Sequence, residues 1–381
     1  MLIALVILFA VYFVLMILLM RGWKYAVHPL GTSTGTTDEL ITVIIPARNE
    51  QVTIGALLED LGRQKTENFE VIVVDDHSDD NTAGVVRSYA AKASYRLTLL
   101  HPGAMHGKKN CLAMGVHHAN GSIVLATDAD CRVGEEWIAT LRRCFDSTNT
   151  RFVSGPVRIH RDGTLRAALQ AIEFASLVGS GVAAIGSGHP VMCNGANMAF
   201  RKETFLKVGG YEGNRHIASG DDEFLMLKIH HRYPGSVMFC SAMEAAVETY
   251  AAPWPHFFSQ RIRWAGKWKA HGISLGALAA ILIFLFHFSL LTLLPATLMT
   301  YPYLVAMLLT GKMVLEYSFL RTVCRFLGVT WSWTAFFLLQ LIYSPYAVAI
   351  GIAANFGSTT WKGRKIKSHR VEMRSRFAEN P

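Results

Sequence analysis

VIVVDDHSDD, residues 71–80, begins as an apolar run and ends in carboxylates. A short apolar run of this kind is typical of a strand buried on both faces of a sheet. The other strand candidates are ITVIIPARNE (41–50), RLTLL (96–100) and SIVLATDAD (122–130). Segments with helical spacing lie between the strands, over residues 51–64, 81–93 and 108–119. This alternation predicts an α/β fold with a mostly parallel sheet and helices on both faces.

The N-terminal end of the chain is strongly apolar. Residues 2–20 carry no charge and are long enough to cross a hydrocarbon core of about 30 Å. A cleaved signal peptide is the alternative, but no basic segment precedes the run and no small-residue cleavage site follows it. Arg21 and Lys24 follow instead, and they predict that this end of the helix lies in the cytoplasm.

A second apolar region follows Gly272. Three stretches in it favour membrane helices: residues 273–294, residues 295–311 with a break at Pro302, and residues 331–356 with Pro345 inside. Residues 313–330 add either a further crossing or a re-entrant turn, despite their charged side chains. Three crossings would put the basic tail outside, against the positive-inside bias, so the sequence leaves the number of crossings open.

The charge balance points to an anionic partner. The net charge of the 381-residue chain is +9, and 51% of its residues are hydrophobic. Nucleic acid could explain the charge alone. The basic segment WKGRKIKSHR (361–370) directly follows an apolar stretch, however, which favours membrane lipids and no nucleic acid. The six cysteines form no CxxC pair and are expected to be reduced thiols of a cytoplasmic domain.

These patterns predict an integral protein of the cell inner membrane whose catalytic domain is cytoplasmic. The predicted divisions are an N-terminal transmembrane helix (1–21), a linker (22–40), an α/β domain (41–255), an amphipathic interface helix (256–272), a C-terminal transmembrane region (273–356) and a basic cytoplasmic tail (357–381).

Carboxylates mark the ends of two predicted strands, where ligands bind in open parallel sheets. Asp128 and Asp130 point to the same side of an extended segment, so they can share Mg²⁺ or Mn²⁺ beside a diphosphate, or one can bind the metal while the other binds a hydroxyl. A polar turn that ends the strand is the alternative. Asp75 and Asp76 can accept hydrogen bonds from a nucleotide base or ribose, and Lys108 lies near the diphosphate or at a solvated helix start.

Asp221 and Asp222 open an apolar-periodic helix. The helix dipole alone would favour acids there. An enzyme that transfers a group to an acceptor hydroxyl, however, needs a general base that removes the hydroxyl proton. We expect Asp222 to be that base, with Asp221 in support. Asn194 and Gly195, in the stretch HPVMCNGANMAFRK, are expected to line the donor or acceptor site.

The segment SQRIRWAGKWKAH places Gln260, Arg263, Trp264 and Lys267 on one helix face. Arg263 can clamp a diphosphate, and Trp264 can stack on an acceptor. The alternative is an interfacial helix whose Arg and Trp meet lipid head groups. No metal-site spacing is evident among the fifteen histidines.

Together, VVDDHSDD, GKKN, ATDAD, GDDEF and QRIRW resemble the motifs of the family 2 glycosyltransferases, which are inverting enzymes with a Rossmann-like GT-A fold. The QxxRW element is similar to that of the membrane-integrated branch. The resemblance implies that Asp76, with Asp75, holds the nucleotide base. It implies that Asp128 and Asp130 bind donor and metal, and that Asp222 is the base. The other implied site residues, which line the donor diphosphate and acceptor, are Gln260, Arg263 and Trp264.

The resemblance implies a metal-dependent transfer from a nucleotide-sugar donor, of which UDP-sugars are favoured. Polymer synthases of this branch usually have more membrane helices than this chain. This favours transfer of one or a few sugars to an acceptor that is a lipid or a lipid-linked glycan. A processive polysaccharide synthase is the alternative within the family. A non-catalytic nucleotide- or lipid-binding membrane subunit is the alternative outside it.

Overall fold

The computed structural model describes residues 2–28, 39–215, 217, 219–267, 274–356, 359–361 and 364–366. Its strands are β1 (Ile41–Ala47), β2 (Phe69–Asp75), β3 (Arg96–Leu100), β4 (Ile123–Ala126), β5 (Arg132–Val133), β6 (Phe152–Ser154), β7 (Val157–Ile159), β8 (Met198–Arg201), β9 (Val237–Phe239), β10 (Val247–Thr249), β11 (Thr359–Trp361) and β12 (Arg364–Ile366).

Thirteen α-helices are present in the described residues. They are α1 (Leu2–Ala26), α2 (Ile54–Gly62), α3 (Thr82–Ala90), α4 (Lys108–His118), α5 (Trp137–Arg143), α6 (Leu165–Gly186), α7 (Lys202–Lys207), α8 (Asp221–Arg232), α9 (Trp254–Ala265), α10 (Leu275–Thr292), α11 (Leu294–Thr300), α12 (Pro302–Phe326) and α13 (Trp333–Phe356).

Seven strands form the main sheet, in the order β3-β2-β1-β4-β8-β6-β9. All neighbours are parallel except those of β8, which runs antiparallel to both β4 and β6. The predicted α/β fold with a mostly parallel sheet is therefore confirmed. Strand β2 is buried at every position, as its unbroken apolar run requires. A small second sheet has the order β5-β10-β7.

The sequence reading missed helix α6. This 22-residue apolar helix packs against α1, α12 and α13, and most of it is buried inside the protein. At its C-terminal end the backbones of α6 and α1 approach closely, because a Cβ added to Gly186 would overlap the carbonyl oxygen of Gly22. Small residues at such a crossing allow helices to pack at backbone distance.

Within the described ranges, five helices are long and apolar enough to cross a membrane: α1, α6, α10, α12 and α13. In all of these helices but α6, most residues are partly or fully exposed rather than buried in the protein. The predicted break at Pro302 is present: α11 ends at Thr300, and Pro302 begins α12, as its missing N–H permits. The same helix then continues through the charged segment after residue 313 to Phe326.

The predicted boundaries at the two ends of the chain differ from those in the structure. Helix α1 continues to Ala26, so residues 22–26 are helical rather than linker. Most of the predicted linker and of the basic tail lies outside the described residues. All six cysteines lie in the described part and are free.

Candidate active site

A cavity of about 270 Å³ opens at the carboxyl ends of β1, β2 and β4. Such a position is where ligands bind in open α/β sheets. The predicted site residues that line it are Asp76, Lys108, Asp128, Asp130, Asn194, Gly195, Asp221, Asp222, Gln260, Arg263 and Trp264. The sheet, the loop before β8 and helices α8 and α9 thus bring together residues that are up to 188 positions apart, from Asp76 to Trp264.

Asp75 is the predicted site residue that does not line the cavity. It is buried at the end of β2, and its carboxylate accepts hydrogen bonds from the backbone N–H and hydroxyl of Ser78. Asp76 does reach the cavity, and its Oδ2 accepts a hydrogen bond of 3.0 Å from Gly107 N–H. The two adjacent carboxylates therefore have different surroundings, and of the two only Asp76 lines the cavity.

Lys108 lies between two carboxylates of the cavity. Its Nζ is 2.6 Å from Asp128 Oδ1 and 3.0 Å from Asp221 Oδ2. Burial opposes ionisation of Asp221, but the charge and hydrogen bond of Lys108, together with the charge of Lys267, outweigh burial and lower the pKa of Asp221. For Asp128 the balance is reversed: burial outweighs Lys108, and with the charge of Asp130 it raises the pKa of Asp128 to about 6. Burial likewise raises the pKa of Asp130.

The charge of the cavity favours a cation. Seven acidic and four basic side chains line it, which gives a net charge of −3 when all are ionised. Asp128 and Asp130 offer hard oxygen ligands, and Mg²⁺ or Mn²⁺ is commonly held by one or two carboxylates plus substrate phosphates. The residues present therefore fit such a cation, which Asp128 and Asp130 would hold.

The carboxylate of Asp222 is held at both oxygens. Gly195 N–H donates to Oδ2 at 2.9 Å, and Glu223 N–H donates to Oδ1 at 2.8 Å. Burial raises the pKa of Asp222, and the charges of Asp221 and Glu223 add to this rise. A fixed, buried carboxylate with a raised pKa is a stronger base than a solvated one.

Gly195 leaves room for the contact between Lys108 and Asp221. A Cβ at this position would lie 2.8 Å from Asp221 Oδ2 and 3.0 Å from Lys108 Nζ, so a side chain here would displace that pair. The neighbouring Asn194 uses its Oδ1 to accept a hydrogen bond from Ala196 N–H, which shapes the same loop. Gly220, with φ of 78°, begins α8 from the left-handed region and so aims Asp221 and Asp222 into the cavity.

Helix α9 contributes one face to the cavity and another to the core. Gln260, Arg263 and Trp264 line the cavity, as the spacing predicted. Arg261 points the other way and forms a buried ion pair with Glu173 of α6, with Nε to Oε1 at 2.8 Å. Tyr346 of α13 donates to the same carboxylate at 3.0 Å. This contact fixes the orientation of α9 and therefore of Arg263.

Three contributors to the site were given no role by the sequence, although Lys267 was placed on the cavity face of the helix. Lys267 is mostly buried, with Nζ 3.7 Å from Asp222 Oδ1 and 3.4 Å from Glu223 Oε2; its helical spacing from Arg263 was the available indication. Arg48 donates to the carbonyl oxygens of Asp76 and His77 and so holds the end of β2. The third is an apolar wall on α6, formed by Phe174, Leu177, Val178, Gly181 and Val182.

Histidines form a second cluster beside Asp76. In the part of the chain that the structure describes, Asp76, His77 and His106 are the one group of three His, Cys, Asp or Glu side chains whose ligand atoms lie within 4.8 Å of one another. The spacing of the histidines in the sequence gives no indication of this cluster, because a loop brings His106 back to His77 across 29 residues.

Comparison with known proteins agrees with this architecture. Residues 42–209 match the family "Glycosyl transferase family 2". The chain is 31% identical over 145 residues to the poly-β-1,6-N-acetyl-D-glucosamine synthase of Staphylococcus aureus, covering 37% of this chain and 35% of that protein. It is 37% identical over 119 residues to the 4,4'-diaponeurosporenoate glycosyltransferase of Staphylococcus haemolyticus, covering 31% of each. The matches thus span about a third of these relatives.

Among solved structures, a mannosyltransferase from Pyrobaculum calidifontis, in complex with GDP-Man and Mn²⁺, superposes with a TM-score of 0.60 at 21% identity. The alignment covers 92% of this chain and 98% of that one, so the likeness extends beyond the sheet to most of the helices. It supports the GT-A fold for the domain described above. The comparisons therefore support a family 2 glycosyltransferase domain over residues 42–209 of this chain.

Proposed function

We propose that this protein is a membrane-bound inverting glycosyltransferase that moves a sugar from a nucleotide-sugar donor to a hydroxyl of a lipid or lipid-linked saccharide. The observation that carries the proposal is the composition of the cavity. Carboxylates and cations of the sheet, α8 and α9 line one side, and the apolar wall of α6 lines the other. A charged donor and an amphiphilic acceptor can therefore meet in one cavity.

The donor occupies the polar side in this proposal. Asp76 receives the nucleoside, for which a uridine is favoured, and Arg263 and Lys108 face the diphosphate. Asp128 and Asp130 hold Mg²⁺ or Mn²⁺, which when bound neutralises charge on the departing nucleotide diphosphate. Arg263 adds a fixed cation in a partly buried place, where a charge acts more strongly than in water.

The acceptor hydroxyl is activated by Asp222. Its carboxylate takes the proton as the acceptor oxygen attacks C1 of the sugar. The new bond forms on the face opposite the breaking C1–O bond to the diphosphate, so the anomeric configuration inverts. Gly195 N–H holds Asp222 in place for this step, and the raised pKa of Asp222 suits a base. Trp264 and Gln260 border the acceptor.

The acceptor reaches the cavity along α6. This helix contacts α1, α12 and α13, whose outer apolar surfaces are uncovered by protein, so its wall continues towards the membrane. We place the catalytic domain in the cytoplasm at the inner membrane, because Arg21 and Lys24 follow the apolar part of α1. Membrane lipids are then partners of these outer surfaces.

Nucleotide release tests the activity. Membranes that contain the protein are incubated with a panel of nucleotide sugars and Mg²⁺ or Mn²⁺. The wild type should release nucleotide from one donor, whereas Asp222→Asn should lose at least about 100-fold in rate and still bind that donor in calorimetry. Glu135→Gln, an exposed carboxylate outside the cavity, is the matched control. Turnover by Asp222→Asn at the control's rate would remove Asp222 as the base.

A processive polysaccharide synthase is the second candidate, because one relative is named as such a synthase. The labelled product separates the two candidates. A lipid acceptor gives a product of one or a few sugars that partitions into organic solvent. A polymer gives a product of increasing length that stays in the aqueous phase and is retained by a size filter.

A further inference from the structure

We propose that Asp76, His77 and His106 form a binding site for a divalent transition-metal cation of the Zn²⁺ class, separate from the Asp128–Asp130 pair and open when no donor nucleoside occupies Asp76. Asp76 ends β2, His77 follows it, and His106 comes from the loop before α4. The three potential ligand atoms are Asp76 Oδ1, His77 Nδ1 and His106 Nδ1.

The distances between these atoms fit a tetrahedral ion. Asp76 Oδ1 is 3.2 Å from His77 Nδ1 and 3.7 Å from His106 Nδ1, and the two nitrogens are 3.1 Å apart. Ligands about 2.1 Å from a tetrahedral Zn²⁺ are separated by about 3.4 Å. An ion about 2.1 Å from all three atoms would sit about 0.8 Å out of their plane, close to the about 0.7 Å of an ideal tetrahedron.

The tautomer of His77 is fixed in the form that binds a metal. Its Nε2 lies 2.6 Å from the carbonyl oxygen of Gly103, which can only accept a hydrogen bond. Nε2 therefore carries the hydrogen, and in the neutral ring the lone pair is on Nδ1. A histidine ligand whose other nitrogen donates to a carbonyl is the usual arrangement around protein-bound metals.

The backbone of His77 has an unfavourable conformation, and surrounding contacts hold it there. His77 has φ of 55°, in the left-handed region that non-glycine residues seldom adopt. Arg48 donates to the His77 carbonyl oxygen at 2.6 Å, and Gly107 N–H donates to Asp76 Oδ2. Strained residues of this kind persist where surrounding contacts fix them, and they are concentrated at ligand sites.

The chemistry of the ligands separates this site from the other one. Two imidazoles suit Zn²⁺, Ni²⁺, Co²⁺ and Cu²⁺, whereas carboxylates with phosphate oxygens suit Mg²⁺ and Mn²⁺. His77 and His106 are also partly exposed, with 37% and 55% of their side-chain surface accessible, so a cation can enter from solvent. Three protein ligands leave the fourth position open for water or an exchangeable ligand.

Calorimetry with the metal alone tests the site. Tag-free full-length protein in detergent is stripped with a chelator and titrated with Zn²⁺ in the presence of excess Mg²⁺, which occupies sites made of hard oxygen ligands. The wild type should bind one more Zn²⁺ than His106→Ala, or bind it more than about tenfold more tightly. Equal stoichiometry and equal affinity in the two proteins would overturn the proposal.

His101→Ala is the matched control. His101 lies in the same loop and is exposed, but its Nδ1 faces Asp75 Oδ2 at 3.6 Å rather than the cluster. Its replacement should leave Zn²⁺ binding at the wild-type level, and a loss equal to that of His106→Ala would refute the assignment of ligands. Co²⁺ gives a second readout, because a tetrahedral nitrogen–oxygen site produces strong visible absorption. That absorption should appear in the wild type and His101→Ala and be absent from His106→Ala.

Discussion

Asp128→Asn should stabilise the protein when no metal is bound, although it removes a proposed metal ligand. Burial raises the pKa of Asp128 to about 6, even though Lys108 lies 2.6 Å away and opposes the rise. The ionised carboxylate is therefore less favourable in the folded protein than in the unfolded chain. Asparagine has nearly the same shape and no charge, so it removes this cost while Lys108 keeps its contact with Asp221.

The size and pH dependence of the effect follow from the pKa. Between pH 4 and pH 6, roughly, the folded protein binds more protons than the unfolded chain, so stability falls as the pH rises through this window. A rise of about 2 units in the pKa of Asp128 would lower the free energy of unfolding by about 3 kcal/mol above pH 6. Because 37% of the Asp128 side chain is exposed, solvent screens its charge. We therefore expect Asp128→Asn to raise the free energy of unfolding by about 1 kcal/mol.

Thermal unfolding in detergent with a chelator measures this difference. Asp128→Asn should melt about 2 °C above the wild type at pH 8 and within error of it near pH 4. Glu135→Gln, an exposed carboxylate, should show no shift at either pH. A variant that melts below the wild type at pH 8, or a gain that is the same at pH 4, would refute the reasoning. Metal-supported donor binding should be lost in the same variant.

Lys108→Met should lower the free energy of unfolding by about 3 kcal/mol, because it leaves two carboxylates without their shared cation; denaturant titration measures the loss. Gly186→Val should destabilise the packing of α1 on α6 by about 2 kcal/mol, since the added side chain overlaps the backbone of α1; thermal unfolding measures it. The rate of nucleotide release should fall on acidification at a pH above the ordinary pKa of an aspartate, because the pKa of Asp222 is raised and the protonated form cannot accept a proton; a pH profile of kcat/KM measures the shift.

Each of these outcomes has a result that contradicts it. Full stability of Lys108→Met would mean that the two carboxylates find other partners. Gly55→Ala is the control for Gly186→Val, because a Cβ there meets only Val85 at 3.7 Å; equal losses in both variants would argue against a specific clash. If Asp222→Glu leaves the acidic limb of the kcat/KM profile at the same pH, the titration belongs to another group.

The sheet and the strand-end carboxylates could be predicted from sequence because both depend on local patterns. Strand β2 is an unbroken apolar run, and Asp76 follows it directly. The cavity face of α9 also follows from local spacing, since Gln260, Arg263 and Trp264 are three or four residues apart. The pairing of Lys108 with Asp128 and Asp221 could not be predicted, because it depends on how three separate elements meet.

Helix α6 shows why another part of the fold was missed. Its sequence contains Gly179, Gly181 and Gly186, and glycine in a helix interior costs about 1 kcal/mol relative to alanine. Each of these glycines serves a tertiary contact instead: a Cβ would press on Val323 at the first, on Met192 at the second and on Gly22 at the third. Local propensity therefore argues against a helix that long-range packing requires.

The charged segment of α12 was ambiguous for a related reason. Glu316 argued against a membrane crossing when considered alone. In the structure Lys312, one turn earlier, donates to Glu316 Oε2 at 2.8 Å, and Gln340 of α13 donates to the same oxygen at 2.7 Å. Tyr12 of α1 donates to the other oxygen. Helical spacing in the sequence predicts the pairing of Glu316 with Lys312. Gln340 and Tyr12 lie on other helices, so they could not be identified as partners without knowledge of the fold.

The position of α6 also constrains which acceptors the proposed enzyme can use. One face of this helix forms the apolar wall of the cavity, while Glu173 on another face holds Arg261 and thereby orients α9. The helix that would contact the acceptor therefore also fixes the helix that carries Arg263. A free, fully polar sugar would leave the apolar wall against water and gain nothing from it. An acceptor with a hydrocarbon part covers this wall and brings its hydroxyl to Asp222, so we expect acylated or lipid-linked acceptors to be used more efficiently than soluble sugars with the same hydroxyl.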